Sequence, residues 1–296
     1  MKFTLKGIIP AMVTPLTPEG EVNEKSLRQF VRYLIEGGVH GIFAAGTTGE
    51  FYGLSKEQHR TIIEITVDAV KKRVPVYAGA AAITTKEAVE LSKIAQDAGA
   101  DAVSILTPFF LAPSQKELIC HYTTIASSVN LPIIMYNNQP KTQVTLTPDT
   151  VEKLADVENI VGIKDSTGDF TLTSEYIRRT RNKGFSVLAG RDTLIHAALC
   201  YGGAGAIASC ANVAPRLCAD IYDKYVAGDR QGSLEAQYRL APLRIAFNIG
   251  TFPAVIKESL TLLGIDAGPC MSPAGPMTYE ERARLKEVLI EMDLLH

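Results

Sequence analysis

The chain has 296 residues, 46% of them hydrophobic and 21% charged, an ordinary composition for a soluble globular protein. Thirty Lys+Arg against 32 Asp+Glu leave a formal charge of −2, which gives neither the basic bias of a nucleic-acid binder nor a polybasic run for a membrane surface. No run of ~18 apolar residues suggests a transmembrane helix, and the first apolar stretch is too short for a signal peptide, so the expected location is cytoplasmic.

Short apolar runs alternate with longer amphipathic ones. A strand over 7–14 precedes a helical pattern over 24–37, a strand over 41–46 a helix over 55–72, and a strand over 74–80 a helix over 84–98. The strand at 101–107 is followed by a helix over 114–128, and the strand at 131–137 by a helix over 147–156. Strands over 160–165, 185–190 and 205–209 complete the set. Ser55, Thr84 or Thr85, and Ser114 are N-cap candidates. Regular strand–helix alternation implies parallel strands with right-handed crossovers. Near-continuous apolar strands and a length above the ~250 residues of a typical α/β barrel favour a (β/α)8 TIM barrel. No G-x-G-x-x-G follows an early strand, which weakens a dinucleotide-binding fold. A helix over 212–227 closes the barrel, and helices over 230–247, 252–264 and 278–292 form a C-terminal helical extension. The expected division is a catalytic barrel over 1–228 and an extension over 229–296 packed on it, because no linker-like composition separates them. The five cysteines form no CxxC pair and read as packed free thiols; the histidines do not join them at zinc-ligand spacing, so no metal is expected.

In such a barrel the chemistry lies at the C-terminal ends of the strands. Those ends carry Thr14, the run Gly46-Thr47-Thr48-Gly49-Glu50, Tyr136-Asn137, Lys164-Asp165-Ser166, Gly190-Arg191-Asp192 and Ser209. Lys164 interrupts an apolar strand, IVGIKD. Either it snorkels outward at the strand end, or it faces inward on the side of Gly162, which then leaves room for its stem. An inward, partly desolvated lysine has a depressed pKa, and its neutral amine can attack a ketone to form a Schiff base. Tyr136 is either a rim aromatic or a proton shuttle for that condensation. GTTGE is either a strand-to-helix turn or a cradle whose amides hold a carboxylate.

Together, GTTGE (46–50), the Tyr136-Asn137 strand end, GIKDSTGD (162–169) and GAIASCANVAP (205–215) resemble the dihydrodipicolinate synthase / N-acetylneuraminate lyase family, the pyruvate-dependent class I aldolases. The resemblance runs in order from Gly7 to the C-terminal helices. It implies a barrel with a C-terminal extension, a homotetramer, and no metal or organic cofactor beyond a covalent lysine–pyruvate imine. It implies Lys164 as the Schiff-base lysine, Tyr136 as general acid/base, and Thr47 as the hydroxyl that relays protons to it. Thr48 and its neighbouring amides match the carboxylate pocket, which Gly190 and Ile207 line. The implied partner is a small 2-oxo acid, with no nucleic acid and no membrane.

Two positions depart from the synthase branch of the family. The segment TPFF puts Phe110 where that branch has a tyrosine whose hydroxyl crosses the dimer interface. Lys141 stands where it has an arginine for the second substrate's carboxylate, and lysine brings charge without a bidentate fork. Phe110 is either an interface packing residue or part of the altered substrate site. Arg191 either contacts the distal part of a substrate or is an exposed arginine at a helix start. These departures favour a lyase: reversible aldol cleavage of a 2-keto-3-deoxy sugar acid or 4-hydroxy-2-oxoglutarate to pyruvate plus an aldehyde. The alternatives are 4-hydroxy-tetrahydrodipicolinate synthase, an imine-dependent dehydratase or deaminase, a non-catalytic 2-oxo acid binder, and a phosphate- or flavin-binding barrel. The tetramer's tight contact is expected near 101–125.

Overall fold

The computed structural model describes residues 3–295. Its strands are β1 (Gly7–Pro10), β2 (Ile42–Ala44), β3 (Val76–Gly79), β4 (Ala102–Leu106), β5 (Ile133–Asn137), β6 (Ile160–Asp165), β7 (Ser186–Ala189) and β8 (Gly205–Ala208). All pair in parallel with their sequence neighbours, and β8 returns to β1. The last gap, between β1 and β2, is closed by a bridge from Ala11 to Phe43, with Met12 N donating to Phe43 O at 2.9 Å. This is a (β/α)8 barrel, with each expected strand in its place: β6 keeps its expected bounds and the others are shorter.

Helices α1 (Glu24–Glu36), α2 (Lys56–Val70), α3 (Thr85–Asp97) and α4 (Gln115–Ala126) cover the first strands. Ser55 and Ser114 form reciprocal capping boxes with Gln58 and Glu117, and Thr84 caps α3, which fixes where each helix starts. A four-residue helix, α5 (Gln139–Thr142), lies after β5 and was not expected; Pro140 sits in its first turn. Then come α6 (Pro148–Leu154), α7 (Phe170–Thr180), α8 (Ile195–Cys200) and α9 (Pro215–Val226). The extension is α10 (Arg230–Ala246), α11 (Ala254–Leu262) and α12 (Tyr279–Glu291). Leu240, Leu243, Val255, Ile256 and Leu285 of these helices are buried in one cluster with Ile8, Leu27, Phe30 and Ala206. Thus the extension shares the barrel's outer core.

Inside the barrel, Leu5, Ile9, Phe43, Tyr77, Ile134, Leu188 and Ile207 form a separate buried cluster. Gly162 faces this plug. A Cβ there would lie 2.7 Å from Leu5 Cδ2 and 2.5 Å from Ser186 O. The glycine therefore admits Leu5 and the β7 backbone, and the expectation that it makes room for the Lys164 stem is corrected.

The cysteines are all free, but Cys120 and Cys200 are exposed, so they are not uniformly packed. His121 of α4 is nearly buried, with Nδ1 2.9 Å from Thr85 Oγ1. Burial pushes its pKa down to about 4. As pH falls, the unfolded chain takes up this proton near 6.5 and the folded chain only near 4, so stability is lost across that window. Urea unfolding at several pH values should show His121→Gln losing less stability than wild type between pH 6.5 and 4. Parallel curves would show that His121 does not set the acid sensitivity.

Candidate active site

The mouth of the barrel is built by the residues that end β1, β2, β5, β6, β7 and β8. Register places Lys164 of β6 between Tyr136 of β5 and Leu188 of β7. Its side chain is buried, with Nζ 4.3 Å from the Tyr136 ring centroid and 5.7 Å from that of Phe43. Among the described residues no carboxylate forms an ion pair with it. Of the two readings open for Lys164, the structure takes the inward one. Gly190 is what admits the chain: a Cβ there would lie 3.0 Å from Lys164 Cε and 2.0 Å from Ser166 Oγ.

On the outer side of β6, Asp165 anchors the same strand end. It accepts from Asn137 Nδ2 at 3.2 Å, from Thr167 N at 3.2 Å and from Thr167 Oγ1 at 3.0 Å. Asn137 in turn takes Leu146 N on its Oδ1 at 3.1 Å. This tied layer holds the Lys164 and Tyr136 backbones in fixed register, as a preorganised site requires.

The Tyr136 hydroxyl accepts from Asn138 Nδ2 at 2.9 Å. Burial pushes the phenol's pKa up, but the Lys164 ammonium and the hydroxyls of Thr47 and Ser166 around it outweigh burial, so it sits below the ordinary tyrosine value. A phenol in that setting exchanges a proton with the amine chemistry beside it more readily than a free tyrosine. Thr47 Oγ1 is buried beside that phenol, where its hydroxyl can both donate and accept.

The turn carrying Thr47 and Thr48 is strained and strapped. Ala45 and Glu50 both have left-handed φ, 53° and 60°. Thr14 Oγ1 donates to Gly49 O at 2.7 Å. Glu50, fully buried, pairs through Oε1 with Lys257 Nζ of α11 at 2.7 Å and takes Met271 N on Oε2 at 2.7 Å. The extension thereby clamps the turn from outside. Thr48 Oγ1 lies 3.5 Å from Ser209 Oγ.

These groups surround a cavity of about 230 Å³. Lys164, Tyr136, Thr47, Thr48 and Gly190 line it, and so do Lys141 and Arg191 on its outer side. Two expected residues do not. Ile207 is fully buried in the interior plug rather than on the cavity wall. Phe110 is 92% exposed, with a φ of 70°, outside the cavity. An aromatic on an exposed loop tip cannot line a pocket of its own chain.

The sequence reading placed Asp192 at a strand end without a role, and it missed Asn138 and the roof supplied by the extension: Arg244, Phe247, Asn248 and Phe252. Asp192 is buried, accepts from Cys210 N at 2.8 Å and lies 3.5 Å from Arg244 Nε. Burial raises its pKa, against the opposing pull of the Cys210 N–H, Arg244 and Lys164. The available signal was Arg244 itself, a cation beside Leu243 in an otherwise apolar helical stretch, PLRIAF. Four cations, Lys141, Lys164, Arg191 and Arg244, thus face one carboxylate, Asp192, so the cavity suits anionic ligands.

The sequence model of the dihydrodipicolinate synthetase family matches residues 4–292. The chain belongs to that family. It is a class I carbon–carbon lyase, and the enzymes of the dihydrodipicolinate synthetase family work through a lysine Schiff base. A 4-hydroxy-tetrahydrodipicolinate synthase of Methanopyrus kandleri is 40% identical, with 100% of this chain and 99% of the relative covered. Another from Methanothrix thermoacetophila is 39% identical over 97% of each. Among solved structures, a chloride-inhibited dihydrodipicolinate synthase from Acinetobacter baumannii, complexed with pyruvate, superposes with a TM-score of 0.95 at 36% identity, covering 99% of this chain and 100% of that one.

These relatives overturn the expected aldol cleavage of a sugar acid or 4-hydroxy-2-oxoglutarate. The departures at Phe110 and Lys141, which carried that expectation, were given too much weight: Phe110 is exposed outside the cavity of this chain, and Lys141 still places a cation in the cavity lining. Among the described residues, no helix is long and apolar enough to cross a membrane, and no group of three or more His, Cys, Asp or Glu could hold a metal ion.

Proposed function

We propose that this chain is a 4-hydroxy-tetrahydrodipicolinate synthase, condensing pyruvate with L-aspartate 4-semialdehyde. The observation that carries the reading is the buried Lys164 amine over the Tyr136 ring, at the floor of a cationic cavity, in a chain whose relatives bear that name. Lys164 Nζ attacks the ketone carbon of pyruvate. Tyr136 delivers a proton to the carbinolamine oxygen, water leaves, and the imine forms. Thr47, with its buried hydroxyl beside Tyr136, passes protons to and from the phenol. Thr48 and the amides of its turn hold the pyruvate carboxylate.

Loss of a methyl proton converts the imine to an enamine, whose carbon attacks the aldehyde and forms the new C–C bond. The substrate's own amine then displaces Lys164 from the imine carbon and closes the ring. One water is released overall, and neither a metal nor an organic cofactor enters the balance. Arg191 adds positive charge where an acidic second substrate enters.

The same reading includes a homotetramer. Phe110 and the adjacent Leu111, 92% and 55% exposed, give an apolar patch that a second copy covers. A monodisperse monomer in light scattering would count against it. The function is tested by incubating the purified protein with pyruvate and L-aspartate 4-semialdehyde and following the cyclic product. Saturable turnover in both substrates is expected; pyruvate imine formation without condensation would remove the synthase reading.

A further inference from the structure

The three cations on the outer side of the cavity differ in how they are held. Lys141 lies in the last turn of the four-residue helix α5 and is exposed, a mobile point charge. Arg191 gives its Nε–H to Ser166 O at 3.1 Å and so leans back on the loop after β6. Arg244 comes from the last turn of α10. Its side chain is 20% exposed, and its Nε lies 3.5 Å from Oδ2 of Asp192, a carboxylate with 1% exposure. Asp192 is in turn pinned by the Cys210 N–H, and Gln237 Nε2, also on α10, donates to its backbone carbonyl at 2.9 Å. Among the described residues, neither terminal nitrogen of Arg244 makes a hydrogen bond.

The geometry is that of a preset fork. One edge of the guanidinium faces a buried acid at ion-pair distance, and Arg244 belongs to the wall of the cavity that holds Lys164. A planar guanidinium receives a carboxylate through two parallel N–H bonds, which an ammonium cannot match. Charge points the same way. Once the pyruvate carboxylate is taken by the turn at Thr48, Lys141, Arg191 and Arg244 still face a single acid, Asp192.

We propose that Arg244 is the specificity residue for the second substrate: its terminal nitrogens bind the carboxylate of the amino-aldehyde acid, and Asp192 is the positioning residue that aims them. This rests on the synthase reading above. It moves the carboxylate contact from the barrel loop at Lys141 to the C-terminal extension.

The test compares steady-state kinetics of wild type, Arg244→Gln, Arg244→Lys and Lys141→Gln, with borohydride trapping of pyruvate as a second readout. Arg244→Gln should raise KM for L-aspartate 4-semialdehyde about 30-fold or more, with KM for pyruvate and the trapped adduct unchanged. Arg244→Lys should recover part of the loss. Lys141→Gln should change that KM by less than about threefold, as expected of an exposed charge. An unchanged semialdehyde KM in Arg244→Gln, or a larger rise in Lys141→Gln, overturns the assignment while leaving the synthase reading intact. Wild type that traps pyruvate but never condenses the semialdehyde overturns both.

Discussion

Lys164→Ala should abolish condensation, with a fall in kcat of about 10⁴-fold or more, and should leave no pyruvate adduct after borohydride reduction. The size follows from the proposed chemistry. Without the amine there is no imine, and the methyl group of pyruvate has no electron sink to receive the pair left by its proton. No neighbour can substitute, because among the described residues Lys164 is the only lysine lining the floor of the cavity, and Lys141 stands at its outer side. Tyr136→Phe should behave differently. The amine remains, so a pyruvate adduct still forms, but both proton transfers lose their relay, and kcat should fall by about 10²–10⁴-fold. Peptide mapping of the reduced adduct distinguishes the two. An adduct on another lysine in Lys164→Ala would sink the assignment of Lys164, and a Tyr136→Phe enzyme with unchanged kcat would remove the shuttle.

Lys257→Met should destabilise the protein by about 3–5 kcal/mol, because it leaves a buried carboxylate without its counter-ion. Glu50 is fully buried and Lys257 is 3% exposed. The pair spans the loop after β2 and helix α11, and Lys257 Nζ also donates to Pro269 O at 2.6 Å. The lost energy corresponds to a drop of about 10 °C in Tm for a domain of this size. The double variant Glu50→Gln/Lys257→Met should be less damaged than Lys257→Met alone, since the orphaned charge is gone. A loss below about 1 kcal/mol in Lys257→Met would show that the pair is not held dry as the structure has it. Activity should fall with stability in this series, because the clamp acts on the strained turn bearing Thr47 and Thr48.

Much of this architecture was written locally. The strands show as apolar runs, and Ser55 and Ser114 mark helix starts through capping boxes spelled within four residues. The strand-end rule sufficed to bring Lys164, Tyr136, Thr47, Thr48 and Gly190 to one mouth. What escaped is long-range. Nothing near Glu50 announces a partner 207 positions later in α11, and nothing near Asp192 announces Arg244 of α10. The role of Gly162 was misread for the same reason, since the atoms that need its space belong to Leu5 and Ser186. Ile207 lies in the core and Phe110 in solvent, outside this chain's cavity; motif position cannot show where a side chain ends.

The roof of the cavity comes from residues 244–252, late in the chain, while its floor is finished by β8. During synthesis from the N-terminus, the strand ends that carry the reactive groups are therefore made well before the cover that encloses them. A nascent chain ending near residue 228 would hold every group assigned to the chemistry and none of the roof. Division of the site along the chain also separates two kinds of inherited change. On the Arg244 proposal, a change at that position of α10 alters which aldehyde is admitted and leaves the imine-forming floor as it was.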